Sequence, residues 1–207
     1  MREQQYYNTL LSRKLIEKFE EHNFEGHFCE TKEEALYKTI ELIPKNALIS
    51  YGGSATLYEI GLIEALKNEN YHLLDPKSVS NSIEMDKIAR QALSADYFLM
   101  SSNAITEQGE LVNADGYGNR VSALIYGPKN VIVIAGMNKV VSNLDTAIIR
   151  VKNYAARMIL LKFKKDYIDF NELDNASKGA VSHLLITSMS TVKGRIKVIL
   201  VGESLGF

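Results

Sequence analysis

The strongest constraint on the fold is the apolar run VIVIA at residues 131–135, which is β-branched almost throughout. Continuous runs of this type are typical of strands that are buried on both faces, as in parallel sheets covered by helices. We therefore expect this strand to lie in the middle of a sheet. The run RIKVILV at residues 195–201 predicts a further strand.

The rest of the chain alternates short apolar runs with longer segments of helical periodicity. Predicted strands lie at residues 27–30, 47–50, 71–74 and 97–101, and predicted helices at 31–43, 56–68, 81–94, 120–126 and 144–161. This alternation predicts an α/β, Rossmann-like fold with a mainly parallel sheet and helices on both faces. Residues 103–120, rich in Asn, Gly and Asp, are predicted to form turns, with GELVN at 109–113 as a candidate hairpin arm, and residues 162–194 show no clear pattern.

The domain organisation follows from the length and from the beginning of the chain. Residues 3–22 carry apolar side chains at helical spacing, which predicts an amphipathic helix. A chain of 207 residues fits one large domain. We expect an N-terminal helix in residues 1–24, packed on the domain or on a partner subunit, and one α/β domain over residues 25–207.

Composition excludes several classes of function. Lys and Arg number 24 against 25 acidic residues, so no strong net charge favours nucleic acid or an anionic membrane. Cys29 is the single cysteine and no Cys/His cluster has the spacing of a zinc site, so we expect no metal and no disulfide. No apolar run reaches the roughly 18 residues that span a bilayer. The expected location is the cytoplasm.

A glycine pair joins the predicted strand 47–50 to the following helix. Gly52 and Gly53 allow close approach of the backbone to a ligand, and Ser54 and Thr56 would add hydroxyl donors for a phosphate or carboxylate. The loop therefore predicts an anion site. The alternative is that the glycines only make a tight turn and that Ser54 or Thr56 caps the helix.

The polar segment 103–120 lies between predicted strands, where open α/β sheets place their ligands. Glu107 and Asp115 are candidate acid/base groups, Glu107 also as a covalent nucleophile, and Arg120 is a candidate anion clamp. The other candidate ligand-binding residues here are Asn103, Thr106, Asn113, Gly116 and Asn119. The alternative is that Asp and Asn bind the local backbone and that Arg120 is solvated or salt-bridged.

Lys139 follows the central strand, and its ammonium group would neutralise the charge of a ligand at the same edge of the sheet. The alternative is a solvated loop lysine.

The sequence resembles the LUD domain family, which is linked to bacterial lactate utilisation. The resemblance lies in GGSATLYEIGL at residues 52–62, in the long block 101–141, in LDTAIIRVKNYAA at 144–156 and in RIKVILVGESLGF at 195–207. It implies a Rossmann-like sheet similar to those of ribose-5-phosphate isomerase, glucosamine-6-phosphate deaminase and CoA transferases. By this resemblance residues 52–54 would hold phosphate, and Glu107 and Asp115 are acidic candidates by location.

The chain departs from the family in one region. Many relatives carry a cysteine-rich stretch before the final strand, whereas residues 157–194 contain no cysteine, so an iron–sulfur or zinc role is not supported. Arg157 stands where relatives tend to have proline, and a reorganised region 158–194 is expected.

These observations favour a protein that binds a small anionic metabolite, a phosphorylated or carboxylate compound of lactate or related organic-acid metabolism. No cofactor is expected, and the chain is predicted to form a homo-oligomer or to be a subunit of a metabolic complex. Two alternatives remain: a non-catalytic subunit of a lactate-oxidising complex that docks through the N-terminal helix, and a CoA-transferase-like or sugar-phosphate isomerase-like enzyme. Whether the chain is an enzyme is left open by the sequence.

Overall fold

The computed structural model describes residues 2–69, 71–163 and 168–207. The helices are α1 (Arg2–Glu21), α2 (Lys32–Glu41), α3 (Ala55–Glu59), α4 (Leu62–Asn68), α5 (Ser82–Gln91), α6 (Asn119–Ile125), α7 (Leu144–Arg150), α8 (Ala156–Phe163) and α9 (Phe170–Ala180). The strands are β1 (Glu25–Cys29), β2 (Leu48–Tyr51), β3 (His72–Leu74), β4 (Tyr97–Met100), β5 (Ala104–Thr106), β6 (Leu111–Asp115), β7 (Asn130–Gly136), β8 (Val140–Val141), β9 (His183–Thr187) and β10 (Ile196–Val201).

Six strands of the described chain form the main sheet, in the order β1-β10-β7-β4-β2-β3. All neighbouring pairs are parallel, and β7 pairs with β10 on one side and β4 on the other. The VIVIA run therefore lies mid-sheet, as its continuous apolar character predicts. The predicted α/β fold with a parallel sheet and an N-terminal helix is confirmed.

Alternate residues of the main sheet supply two separate hydrophobic cores. Ile132 and Ile134 face the core that includes α2, α3 and α4, while Val131 and Val133 face the core that includes α1, α6 and the β5–β6 pair. All four side chains are fully buried. Burial on both faces explains why polar and apolar residues do not alternate along this strand.

The segment 103–120 differs from the prediction of turns. A second sheet with the order β8-β5-β6-β9 includes two strands from this segment, paired as an antiparallel hairpin. Ile105, Leu111 and Val112 are fully buried in it. The candidate hairpin arm at 109–113 overlaps β6, whereas β5 has three residues, which is too short a run for its periodicity to be recognised.

Two predicted helices are interrupted. Gly61, at φ +72°, separates α3 from α4 where one helix over 56–68 was predicted. Between α7 and α8 the helix widens into a π-helical turn, Val151–Ala155. The region 162–194 contains α9, which packs against α8, and β9. Residues 164–167 of the predicted reorganised region lie outside the described residues.

Helix α1 packs on its own domain. Leu15 and Phe19 are fully buried in the core beneath the sheet, whereas Tyr6 is 67% exposed. The side-chain amide of Asn8 also donates to the carbonyl of Gly202, at 3.0 Å. Within the described residues, no helix has the length and hydrophobicity that crossing a lipid bilayer requires.

The burial of Phe19 gives a test of whether α1 is part of the folded domain. We expect Phe19→Ala to lower the free energy of unfolding by about 3–5 kcal/mol, because it leaves a cavity under the sheet. Tyr6→Ala, on the same helix, should change it by less than about 0.5 kcal/mol. Urea denaturation followed by circular dichroism measures both, and equal values would show that α1 folds apart from the core.

Candidate functional site

A cavity of about 370 Å³ lies at the carboxyl edge of the main sheet. Its walls come from the loop after β2, the segment after β4, the end of β6 with the start of α6, Lys139 after β7, and the helical stretch from Val151 to Lys162. Open α/β sheets bind ligands at this edge. The volume lies in the range of small-molecule sites, about 300–1,000 Å³.

The glycine loop contributes Gly53 and Ser54 to the cavity wall. A Cβ atom at Gly52 would lie 2.7 Å from Cδ of Arg120, so glycine is required there for close packing. A Cβ at Gly53 would meet nothing within 4 Å. Ser54 occupies the N-cap position of α3 but its hydroxyl makes no cap bond, and the buried Oγ has no hydrogen-bond partner. The side chain of Ser54 is thus not used as a helix cap.

Arg120 lines the cavity but its guanidinium is engaged within the protein. Nη1 donates to the carbonyl of Ser101 at 3.0 Å and to Oδ1 of Asn113 at 2.9 Å. Nη2 donates to Oδ1 of Asn103 at 2.9 Å and to the carbonyl of Ala114. These four acceptors use the terminal nitrogens, so Arg120 holds the wall together and is not free to clamp a ligand.

Most other polar residues of the predicted segment also build the wall. The Asp115 carboxylate accepts from the backbone N–H groups of Arg120 and Val121, at 2.9 and 3.2 Å, and so holds the start of α6. Asn103 accepts from the N–H of Ala114 as well as from Arg120. Asp115, Asn103, Gly116 and Asn119 line the cavity, while Asn113 is fully buried behind it with an unpartnered Nδ2.

Lys139 is the most unusual group of the site. The side chain is only 3% exposed, and its Nζ donates to Oγ1 of Thr56 at 3.0 Å and to Oγ of Ser101 at 2.9 Å. Burial, together with the nearby charges of Arg150 and Arg120, lowers the pKa of Lys139 to about 7. Lys139 is therefore not a solvated loop residue, and Thr56 serves as its partner behind the wall.

The structure does not bring Glu107 and Thr106 to the cavity. Both lie at the end of β5, where Glu107 forms an ion pair with Lys14 of α1, at 2.8 Å between Nζ and Oε2. Thr106 is fully buried and its hydroxyl donates to Glu110. The turn of the β5–β6 hairpin lies close to α1. Glu107 and Thr106 are therefore separated from the other candidate site residues.

Several cavity residues gave no signal in the sequence. Tyr58 on α3 lies between two lysines, with Nζ of Lys77 4.0 Å and Nζ of Lys162 6.0 Å from the ring centroid. Both lysines are exposed and line the cavity. The Tyr58 hydroxyl lies 3.2 Å from that of Tyr51, which fixes the ring position. Single lysines on separate segments of the chain form no sequence motif. Their common position at the cavity is therefore visible only in the tertiary structure.

The charge in the cavity is predominantly positive. Among the described lining residues the cationic side chains are those of Lys77, Arg120, Lys139 and Lys162, and the one acidic side chain is that of Asp115. No group of three or more His, Cys, Asp or Glu side chains in the described chain has the arrangement of a metal site. The arrangement favours negatively charged ligands.

Arg120→Lys tests the structural role of the guanidinium. A single ammonium cannot replace the four bonds, and unsatisfied buried acceptors cost about 1–3 kcal/mol each. We expect the free energy of unfolding to fall by about 3 kcal/mol or more. The exposed Arg13→Lys is the control and should change it by less than about 0.5 kcal/mol. Similar values for the two variants would show that Arg120 does not hold the wall.

Lys139→Met tests the lowered pKa of Lys139. Between pH 7 and its usual pKa the unfolded chain binds a proton that the folded chain does not, so rising pH stabilises the wild type relative to the variant. From about pH 7.5 to about pH 9.5, the wild-type free energy of unfolding should rise by about 2 kcal/mol relative to Lys139→Met. Denaturant titrations at both pH values measure this, and a constant difference would contradict the lowered pKa.

Comparison with known proteins assigns the family. A model of the LUD domain family matches residues 12–201. The crystal structure of a DUF162 family protein from Deinococcus radiodurans is similar, with a TM-score of 0.57, 11% sequence identity, and coverage of 94% of this chain and 98% of that chain. Ribose 5 phosphate isomerase A from Neisseria gonorrhoeae is similar with a TM-score of 0.40 and 14% identity, covering 85% of this chain and 94% of that chain. A search of curated proteins found no match. The match over residues 12–201 confirms the resemblance seen in the sequence: the chain belongs to the LUD domain family.

Proposed function

We propose that this LUD domain protein binds a small anionic metabolite, a phosphorylated or carboxylate compound of lactate or related organic-acid metabolism. The observation that carries the proposal is the positive charge of the described cavity lining. Lys77, Lys162 and Arg120 are cationic there even when Lys139 is neutral, and the one acidic side chain is engaged. An anion in this cavity would be partly removed from water and would gain more electrostatic energy than in bulk water, because the surrounding dielectric is lower.

The polar groups available to a ligand support the same class of compound. Ser54 has a buried hydroxyl without a partner, and such a group is normally satisfied by protein, water or ligand. Lys77 and Lys162 are exposed lysines whose ammonium groups lie near the ring of Tyr58. Hydroxyl and ammonium groups are donors for phosphate and carboxylate oxygens.

The alternative functions receive less support. A CoA-transferase-like reaction needs a reactive carboxylate in the cavity, but Glu107 is paired with Lys14 outside it and Asp115 holds α6. A non-catalytic subunit that docks through a dispensable N-terminal helix is not favoured, since Leu15 and Phe19 of α1 are core residues. Assembly as a homo-oligomer or within a metabolic complex stays a prediction.

Two substitutions of Gly53 test the anion site. The position lines the cavity and has free space for a Cβ, so Gly53→Ala should fold normally and bind within about two-fold of the wild type. Gly53→Asp adds a negative charge and should weaken binding about ten-fold or more, which corresponds to about 1.4 kcal/mol.

Isothermal titration with inorganic phosphate, L-lactate, pyruvate and ribose 5-phosphate measures these affinities. Binding of at least one anion by the wild type and by Gly53→Ala, with loss in Gly53→Asp, is the expected pattern. Equal affinities in all three proteins would remove the glycine loop from the site, and no binding of any anion would refute the proposal.

A further inference from the structure

We propose that Lys139 is a catalytic residue, whose side-chain amine forms an imine with the carbonyl carbon of an anionic aldehyde or ketone held in the cavity. This inference rests on the proposed anion site and adds the reacting atom and the substrate class. Its basis is geometric, because Lys139 lines the cavity at the carboxyl edge of the sheet and its Nζ lies between two hydroxyl groups.

The surroundings of Lys139 match the two known ways of making a lysine nucleophilic. Amines react with carbonyl groups only when neutral, and proteins favour the neutral form by desolvation or by a neighbouring cation. Lys139 is buried, and Arg150 and Arg120 lie near enough for their charges to act on it. Both effects lower its pKa to about 7, so a large fraction of the amine is neutral near neutral pH.

The other side chains of the cavity offer little competing chemistry. The described lining residues include no His and no Cys, and the carboxylate of Asp115 accepts two backbone N–H groups at α6. The lysines Lys77 and Lys162 are exposed, which keeps them suited to bind charge instead of reacting as neutral amines. Lys139 is therefore the group in the described wall that can act as a nucleophile without a separate base.

The two hydroxyl partners fit the proton transfers of the reaction. The nitrogen lone pair attacks the carbonyl carbon and the C=O electrons pass to oxygen, giving a carbinolamine after proton transfer from nitrogen to oxygen. A C=N bond then forms as the oxygen leaves in one molecule of water. Thr56 and Ser101, at 3.0 and 2.9 Å from Nζ, are placed to relay these protons. No oxidant or reductant is consumed.

Reductive trapping tests the imine. The intact protein is incubated with pyruvate, glyoxylate or dihydroxyacetone phosphate, then treated with sodium borohydride, and the modified residue is located by peptide mass spectrometry. We expect an adduct at Lys139 that forms about ten-fold faster or more than at any other lysine near neutral pH. Lys139→Met should give no such adduct, while Lys129→Met, which removes an exposed lysine outside the cavity, should keep it.

Non-reactive and uncharged probes separate this inference from the proposed anion site. L-Lactate, which has no aldehyde or ketone group, should protect Lys139 from trapping, and acetaldehyde, which has no anionic group, should react more slowly than glyoxylate. If anions bind but no carbonyl probe modifies Lys139, the imine is refuted and the anion site stands. If acetaldehyde reacts as fast as glyoxylate, the amine chemistry stands and the anion site is refuted.

A serine-based reaction is the remaining outcome. Modification of Ser101 by phenylmethylsulfonyl fluoride, without trapping at Lys139, would identify Lys139 as the base of Ser101 and overturn the proposal. Lysine can activate a serine in this way in other folds. Unmodified Ser101 together with a trapped Lys139 is the result that the inference requires.

Discussion

The hydrogen bonds of the Arg120 guanidinium are the interaction on which the cavity depends. A guanidinium does not lose its proton in proteins. When it is buried, hydrogen-bond acceptors must therefore replace the water molecules that it loses. The acceptors come from the end of the main sheet and from the hairpin sheet: Ser101, Asn103, Asn113 and Ala114. One side chain thus fixes the second sheet against the carboxyl edge of the first. Gly52 belongs to the same arrangement, because any side chain there would overlap with Arg120.

The same arrangement explains why the pKa of Lys139 is lowered. Arg120 and Arg150 are charged, and α6 already uses the one acid of the described wall; the carboxylate of Glu59 acts on Lys139 in the opposite direction but does not outweigh burial and the two arginines. The lysine that is buried beside them is therefore the group that gives up its proton.

The sequence predicted the parts of this structure that depend on local pattern. The VIVIA strand and α1 have enough apolar residues for their burial to be recognised, and the glycine pair indicates a turn. Strand β5 was too short to be recognised beside the candidate hairpin arm at 109–113, and the separation of Glu107 from Asp115 follows from strand pairing that no local pattern encodes. Lys139 has the sequence context of a loop lysine; its burial comes from Thr56 and Ser101, which are 83 and 38 residues away in the chain.

The helical wall of the cavity, from Val151 to Lys162, begins with the π-helical turn. The N–H of Ala156 donates to the carbonyl of Val151, an i→i+5 bond that adds one residue to the turn. Val151, Ala155 and Ala156 of this stretch line the cavity, and the small alanine side chains leave room between helix and sheet. Because π-turns recur at functional sites, the turn supports the proposal that this cavity binds a ligand.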